Sequence, residues 1–188
     1  MNFWLYTFCY SAGIGSFFVF FSTAPQIMMG RQSLSPILFS IVFATVAIAM
    51  MIAVRMMGKL IPAWGSVKVM RIAIGCLILG GMMLIISEIF LPSWVPGFIA
   101  PMWIIGIGIA MSVSIAPNGA LQGFDEIAGT VTAVYFCLGG IILGSIGTVI
   151  ISIFPIGTSW PIVAFCFILA AIVIVLSSIL ASANRIGS

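Results

Sequence analysis

Six apolar stretches follow one another along the chain with only short breaks between them. They run approximately over 3–24, 36–54, 69–87, 97–116, 129–153 and 161–183, each close to the ~20 helical residues that cross a hydrocarbon layer. A bilayer interior offers the backbone no hydrogen-bonding solvent, so each stretch must satisfy its own N–H and C=O groups and is predicted to be a helix. The breaks carry turn chemistry: Pro25 and Gly30; Gly58, Pro62 and Gly65; Pro92, Pro96 and Gly97; Pro117, Asn118, Gly119 and Gly123; Pro155 and Gly157. Hydrophobic residues make up 63% of the 188 and charged residues 5%, against about 25% charged in a soluble domain. So few polar groups cannot cover a water-facing surface. The chain therefore reads as an all-α integral membrane protein, one six-helix bundle over 1–188. The first stretch has no basic residue ahead of it and five more spans after it, so it reads as a membrane helix rather than a cleaved signal.

Charge orients the bundle. Arg55, Lys59, Lys68, Arg71 and Arg185 fall at one end of the six spans, and Arg31 alone at the other. By the positive-inside rule both termini and the Arg55–Arg71 loop are predicted to be cytoplasmic. Trp64, Trp94 and Trp160 stand where spans meet the interface and suit anchoring there.

The polar inventory excludes most chemistry. There is no histidine, which removes the commonest general base and metal ligand. The carboxylates are Glu88, Asp125 and Glu126. The last two are sequence neighbours, do not face each other across a site, and read as a solvated loop. Glu88 is expected at the outer end of the third span, at the rim. Cys9, Cys76, Cys137 and Cys166 lie in four different apolar runs with no metal-ligand spacing, and behave as small buried hydrophobes. No catalytic constellation, metal, cofactor or nucleic-acid partner is expected. An intramembrane hydrolase would need a base. A water channel of the two-half-helix kind would need two Asn-Pro-Ala-like turns, and the chain has a single Pro117-Asn118-Gly119, whose Asn118 is expected to cap a helix end or turn.

Two patterns point to function. The fifth span holds Gly139, Gly140, Gly144 and Gly147, with Gly140 and Gly144 four apart on one helical face; such spacing lets a neighbouring backbone approach closely. Packing is the default role of these glycines, and a sliding helix interface the sharper one. Ser11 with Gly15, and Gly106 with Gly108, are weaker versions. The first span is crowded with rings, among them Tyr10, Phe17 and Phe21, and the fifth adds Tyr135 and Phe136. A Tyr hydroxyl in an apolar span needs a partner, and rings with one or two hydroxyls suit a flat, weakly polar ligand. Tyr10, Phe17, Phe21 and Tyr135 are therefore the candidate cavity lining, with the first, fourth and fifth spans around the cavity and the others as support or lipid-facing.

The runs YTFCYSAGIGSFFVFFSTAP (6–25), FATVAIAMM (43–51), GFIAPMWIIGIGIA (97–110) and APNGALQGFDEIAGTVTAVYFCLGGIILGSIGT (116–148) closely resemble the phenicol exporters. These are chloramphenicol and florfenicol efflux proteins of the major facilitator superfamily, in its drug:proton antiporter branch. The likeness covers about 3–180 and falls on the C-terminal six of the family's twelve helices, with DEIAGT (125–130) matching the entry to the eleventh. It implies one half of a major facilitator fold, built as a 3+3 inverted repeat. The implied partners are a small hydrophobic phenicol drug, a proton as coupling ion, the lipid bilayer and an N-terminal six-helix half; the implied location is the bacterial inner membrane. Two departures stand out. Pro62 replaces the aspartate of the superfamily's loop motif, and no span carries the coupling carboxylate or antiporter motif of the family's N-terminal half. A non-transporting fragment and an exporter of another small hydrophobic drug remain the alternatives.

Overall fold

The computed structural model describes residues 2–121, 123–124 and 127–186, and side chains for all of these except 2, 118 and 180–186. Its helices are α1 (Asn2–Pro25), α2 (Pro36–Trp64), α3 (Ser66–Phe90), α4 (Val95–Ala120), α5 (Ala128–Ile142), α6 (Thr148–Ile153) and α7 (Trp160–Ile186). Wider π-helical turns extend α1 over Gln26–Arg31 and join α5 to α6 over Leu143–Gly147. The described residues contain no strand. Six helical segments are long and apolar enough to cross a membrane, α5 and α6 together forming the fifth. The all-helical membrane architecture read from the sequence is the one observed, and with an even number of spans both chain ends lie at the same end of the bundle. We call the opposite end the distal rim.

Several helix ends lie beyond their expected positions because a proline or a charge was read as a break. Pro25 keeps helical dihedrals (φ −60°, ψ −40°). It withholds one N–H from the ladder, and the π turns that follow re-engage carbonyls left free at such a point. In α2 the helix passes through Gly58 and Pro62 and stops only at Gly65, whose φ of 78° is the left-handed turn that glycine permits. Arg55 and Lys59 are thus helical residues rather than loop residues. Pro117 likewise lies inside α4, and the backbone of residue 118 belongs to the last turn of that helix rather than to a connecting turn. The other end of α2 is built as its sequence suggests: Pro36 opens the helix and the Ser35 hydroxyl accepts from the Leu38 N–H at 3.3 Å. The loop residues Asp125 and Glu126 lie outside the described residues.

The bundle is organised around α1 and α4. Their most apolar windows are 61% and 67% buried, whereas those of α2 and of α5–α6 are 11% and 17% buried. α4 packs on α3, α1 and α2, and α7 packs on α1 and α3. Close approach is set by small residues. A Cβ on Gly13 of α1 would come within 2.9 Å of Ser112 Cβ and 3.2 Å of the Ile109 carbonyl on α4. A Cβ on Gly108 of α4 would come within 2.8 Å of the Ala73 carbonyl on α3. Hydroxyls buried in α1 are satisfied within their own helix: Thr7 donates to the Phe3 carbonyl at 2.8 Å, Ser11 to Thr7 at 2.9 Å and Thr23 to Val19 at 2.8 Å. They therefore add no orphaned donor to an apolar interior.

Candidate substrate-facing wall

One face of α1 stays open. Tyr10, Ile14, Phe17 and Phe21 are spaced by four, three and four residues, which at 3.6 residues per turn places them within an arc of about 60°. Phe21 is 59% exposed, and Tyr10, Ile14 and Phe17 are partly exposed. Neighbours of this stripe on the helix, Cys9, Ala12, Ser16, Val19 and Phe20, are buried. So the bundle leaves the stripe partly uncovered, as it does Trp4 and Phe18 further round the same helix, 49% and 39% exposed.

Along α2 the stripe is bordered by two shallow cavities. One, of about 190 Å³, is lined by Ile14 and Phe17 of α1, Met50 and Val54 of α2, and Ala110, Val113 and Ser114 of α4. The other, of about 250 Å³, lies between Phe21 and Pro25 on one side and Phe39, Ser40 and Phe43 on the other. Neither reaches the ~300–1,000 Å³ of a cavity that encloses a drug-sized ligand. Their geometry is that of a wall. Phe20 stacks on Phe43 with ring centroids 5.0 Å apart and planes 2° from parallel, and Phe21 meets Phe43 edge-on at 5.8 Å.

Along α5 the border is aromatic. Tyr10 lies 5.0 Å from the Tyr135 ring and 5.6 Å from the Phe136 ring. Gly139 makes this possible, because a Cβ there would come within 2.9 Å of the Tyr10 ring. Of the four predicted lining residues, Tyr10, Phe17 and Phe21 fall on one open stripe. Tyr135 is brought to the same place but lies behind it, 1% exposed, with a buried hydroxyl that finds no partner among the described groups. Phe136, 47% exposed, takes the open position beside Tyr10.

The structure corrects two further expectations. α2 lines the two cavities beside the stripe through Phe43, Met50 and Val54, although it was read as support or lipid-facing. Its sequence is apolar on every side, so no period distinguishes a cavity face from a lipid face. The glycines of the fifth span also divide. Gly139 packs on Tyr10, and Gly147 makes ordinary contact distances to Phe18 and Phe165. Gly140 and Gly144, which were expected to meet a neighbouring backbone, have nothing within 4 Å in this chain. Gly140, the next residue along, points about 100° away from Gly139 around the helix.

Polar chemistry on the wall is sparse. Ser114 donates to the Ala110 carbonyl at 2.6 Å and Ser40 to the Pro36 carbonyl at 2.9 Å. The described residues contain no cluster of ligands for a metal ion. Glu88 is at the distal rim as expected, bonded to Arg31 and Ser159, and not on the wall.

No protein-family profile matches the chain, and no solved structure matches it. Two relatives do. A chloramphenicol resistance protein of Pseudomonas aeruginosa is 62% identical over 179 residues, covering 95% of this chain and 43% of that protein. A chloramphenicol resistance protein of Escherichia coli is 47% identical over 115 residues, covering 61% of this chain and 38% of that protein. The chain thus spans less than half the length of the relatives it matches. The resemblance carried by its own residues is borne out: this membrane-spanning chain is a homologue of the chloramphenicol resistance proteins.

Proposed function

We propose that the chain works in the export of phenicol antibiotics across the bacterial inner membrane, as the C-terminal half of a proton-coupled exporter of the major facilitator type. In this reading Tyr10, Phe17 and Phe21, flanked by Phe43, Met50 and Phe136, form one wall of the drug path. The opposite wall comes from an N-terminal six-helix half, and both termini are cytoplasmic. The observation that carries the proposal is the open aromatic stripe of α1. A central helix, 61% buried over its most apolar window, nevertheless leaves the rings of Tyr10 and Phe17 partly exposed and that of Phe21 59% exposed on one face. The names of the two relatives supply the substrate class.

The chemistry suits the ligand. Phenicols carry a flat aromatic ring and a few hydroxyl and amide groups, and offset or edge-on ring contacts contribute about 0.5–1.5 kcal/mol each beyond burial. Weak, distributed contacts of this kind hold a drug without trapping it, as a site that must open to both sides requires. The wall carries no carboxylate among its described residues, so proton coupling is assigned to the other half.

The test is chloramphenicol accumulation in cells expressing this chain alone, or together with the part of the Pseudomonas aeruginosa relative that it does not cover. Export restored by the pair and absent with either part supports the proposal. A pair that inserts, assembles and moves no drug favours the non-transporting reading, and export of a different hydrophobic drug alone moves the substrate class.

A further inference from the structure

At the distal rim three connections meet in one cluster. Arg31 is the last residue of the π-helical extension of the first span, Glu88 lies in the final turn of α3, and Ser159 immediately precedes α7. Arg31 Nη1 donates to Glu88 Oε1. The other carboxylate oxygen, Oε2, accepts from the Ser159 hydroxyl at 2.5 Å and from the Ser159 N–H at 3.4 Å. Arg31 also reaches the Gly157 carbonyl at 3.5 Å. The side chains of Glu88 and Arg31 are 10% and 28% exposed, so both charges are withdrawn from most of their water. Among the described residues this is the one ion pair.

The guanidinium stands at the C-terminal end of its helix, where a cation is favoured. The carboxylate leaves the C-terminal end of α3, where a negative charge is disfavoured, and finds its compensation at the N-terminal end of α7 and on Arg31. Ser159 also accepts through its carbonyl from the N–H groups of Ile162 and Val163, so the residue that binds Glu88 begins the last span. The π turns that follow Pro25 end on the arginine of the cluster, and turns of this kind are frequent at functional sites.

We propose that Arg31, Glu88 and Ser159 form a latch that makes the first, third and last spans move as one body at this rim. Glu88 is then a positioning residue. It touches no drug, but through Arg31 it fixes the end of the span that carries Phe17 and Phe21, and through Ser159 it ties that span to the second three-helix group. The importance assigned to that span rests on the proposed export function, whereas the latch itself can be tested without a drug.

The seam between α1 and α7 provides the readout. Cys166 is fully buried there, with Ser16 Oγ 3.4 Å from its sulfur. In the full chain, with Cys9, Cys76 and Cys137 changed to alanine, Cys166 should react slowly with N-ethylmaleimide. Glu88→Gln and Arg31→Gln each strand one partner of a withdrawn ion pair, and each should raise the labelling rate about tenfold, equivalent to ~1.4 kcal/mol of easier local opening. Ser159→Ala should raise it by about threefold. The exchange of Arg31→Glu with Glu88→Arg restores opposite charges but removes the carboxylate that accepts from Ser159, so it should label more slowly than either single variant and no more slowly than Ser159→Ala, which a loss of packing alone would not do. Parent-like labelling in Glu88→Gln and Arg31→Gln overturns the latch. Where Glu88→Gln gives no folded protein, Ser159→Ala decides: faster labelling supports the latch and an unchanged rate overturns it. Altered labelling in a chain that exports nothing, even with its other half, leaves the latch in place and removes the export reading.

Discussion

Gly108→Ala is the substitution whose cost can be worked most directly from the structure. The added methyl carbon would stand 2.8 Å from the Ala73 carbonyl oxygen, 3.1 Å from Cys76 Cβ and 3.1 Å from a Leu77 methyl. A leucine methyl can swing aside, but the Ala73 carbonyl is backbone within α3 and moves only with its helix. Relief therefore requires α3 and α4 to separate by several tenths of an ångström. In a close-packed interior such overpacking costs about 1–3 kcal/mol. In the opposite direction, replacing glycine by alanine within a helix gains at most about 1 kcal/mol. The net expectation is a loss of ~1–2 kcal/mol, a shift of roughly five- to thirtyfold in the folded-to-unfolded ratio. Gly140→Ala is the matched control, because nothing lies within 4 Å of that glycine; it should be neutral or stabilising. Both are read by reversible unfolding of the purified chain in mixed micelles with increasing dodecyl sulfate. A Gly108→Ala protein as stable as its parent, or a Gly140→Ala protein that loses more, would refute the assignment of α3–α4 as a backbone-to-backbone contact.

Three further outcomes follow from the same geometry. A reporter fused after Ser188 should be active only in its cytoplasm-reading form; activity in a periplasm-reading form contradicts either the orientation or the count of six spans. Gly144→Leu should leave the stability of the isolated bundle within about 0.5 kcal/mol, since it faces outward, yet should impair co-purification with an N-terminal half; undisturbed co-purification would show that this face looks at lipid. Phe17→Ala should raise the chloramphenicol concentration for half-maximal export by about three- to tenfold in the reconstituted pair, the worth of one aromatic contact, and unchanged half-saturation would remove Phe17 from the drug path.

The number and type of the elements were legible because lipid imposes one demand on every span, a run of apolar residues about 20 long. Their ends were less so. Pro25, Pro62 and Pro117 all lie inside helices, since a proline removes one hydrogen bond without dictating a turn, and it was the positive φ of Gly65 that ended α2. The α1 stripe was legible in part: rings at 10, 17 and 21 share a face by arithmetic alone. That Tyr135 would be sealed behind Tyr10, with Phe136 outside it, depends on how α5 is rotated. A helix apolar on all sides gives no periodic signal for rotation. The same ambiguity put Gly140 and Gly144 at the packed face together with Gly139 and Gly147, the two that do pack within this chain. The contribution of α2 and the pairing of Arg31 with Glu88, 57 positions apart, are products of tertiary packing that no local pattern announces.

The central claim is that this bundle supplies one wall of a drug path and needs a second bundle to move anything. Uptake of labelled chloramphenicol into energised cells tests it most directly, comparing cells that carry this chain alone with cells that also carry the complementary N-terminal half. The account predicts accumulation equal to that of empty cells for the chain alone, with the protein present in the membrane, and energy-dependent lowering of accumulation when both halves are present. Energy-dependent export by the chain alone would contradict it.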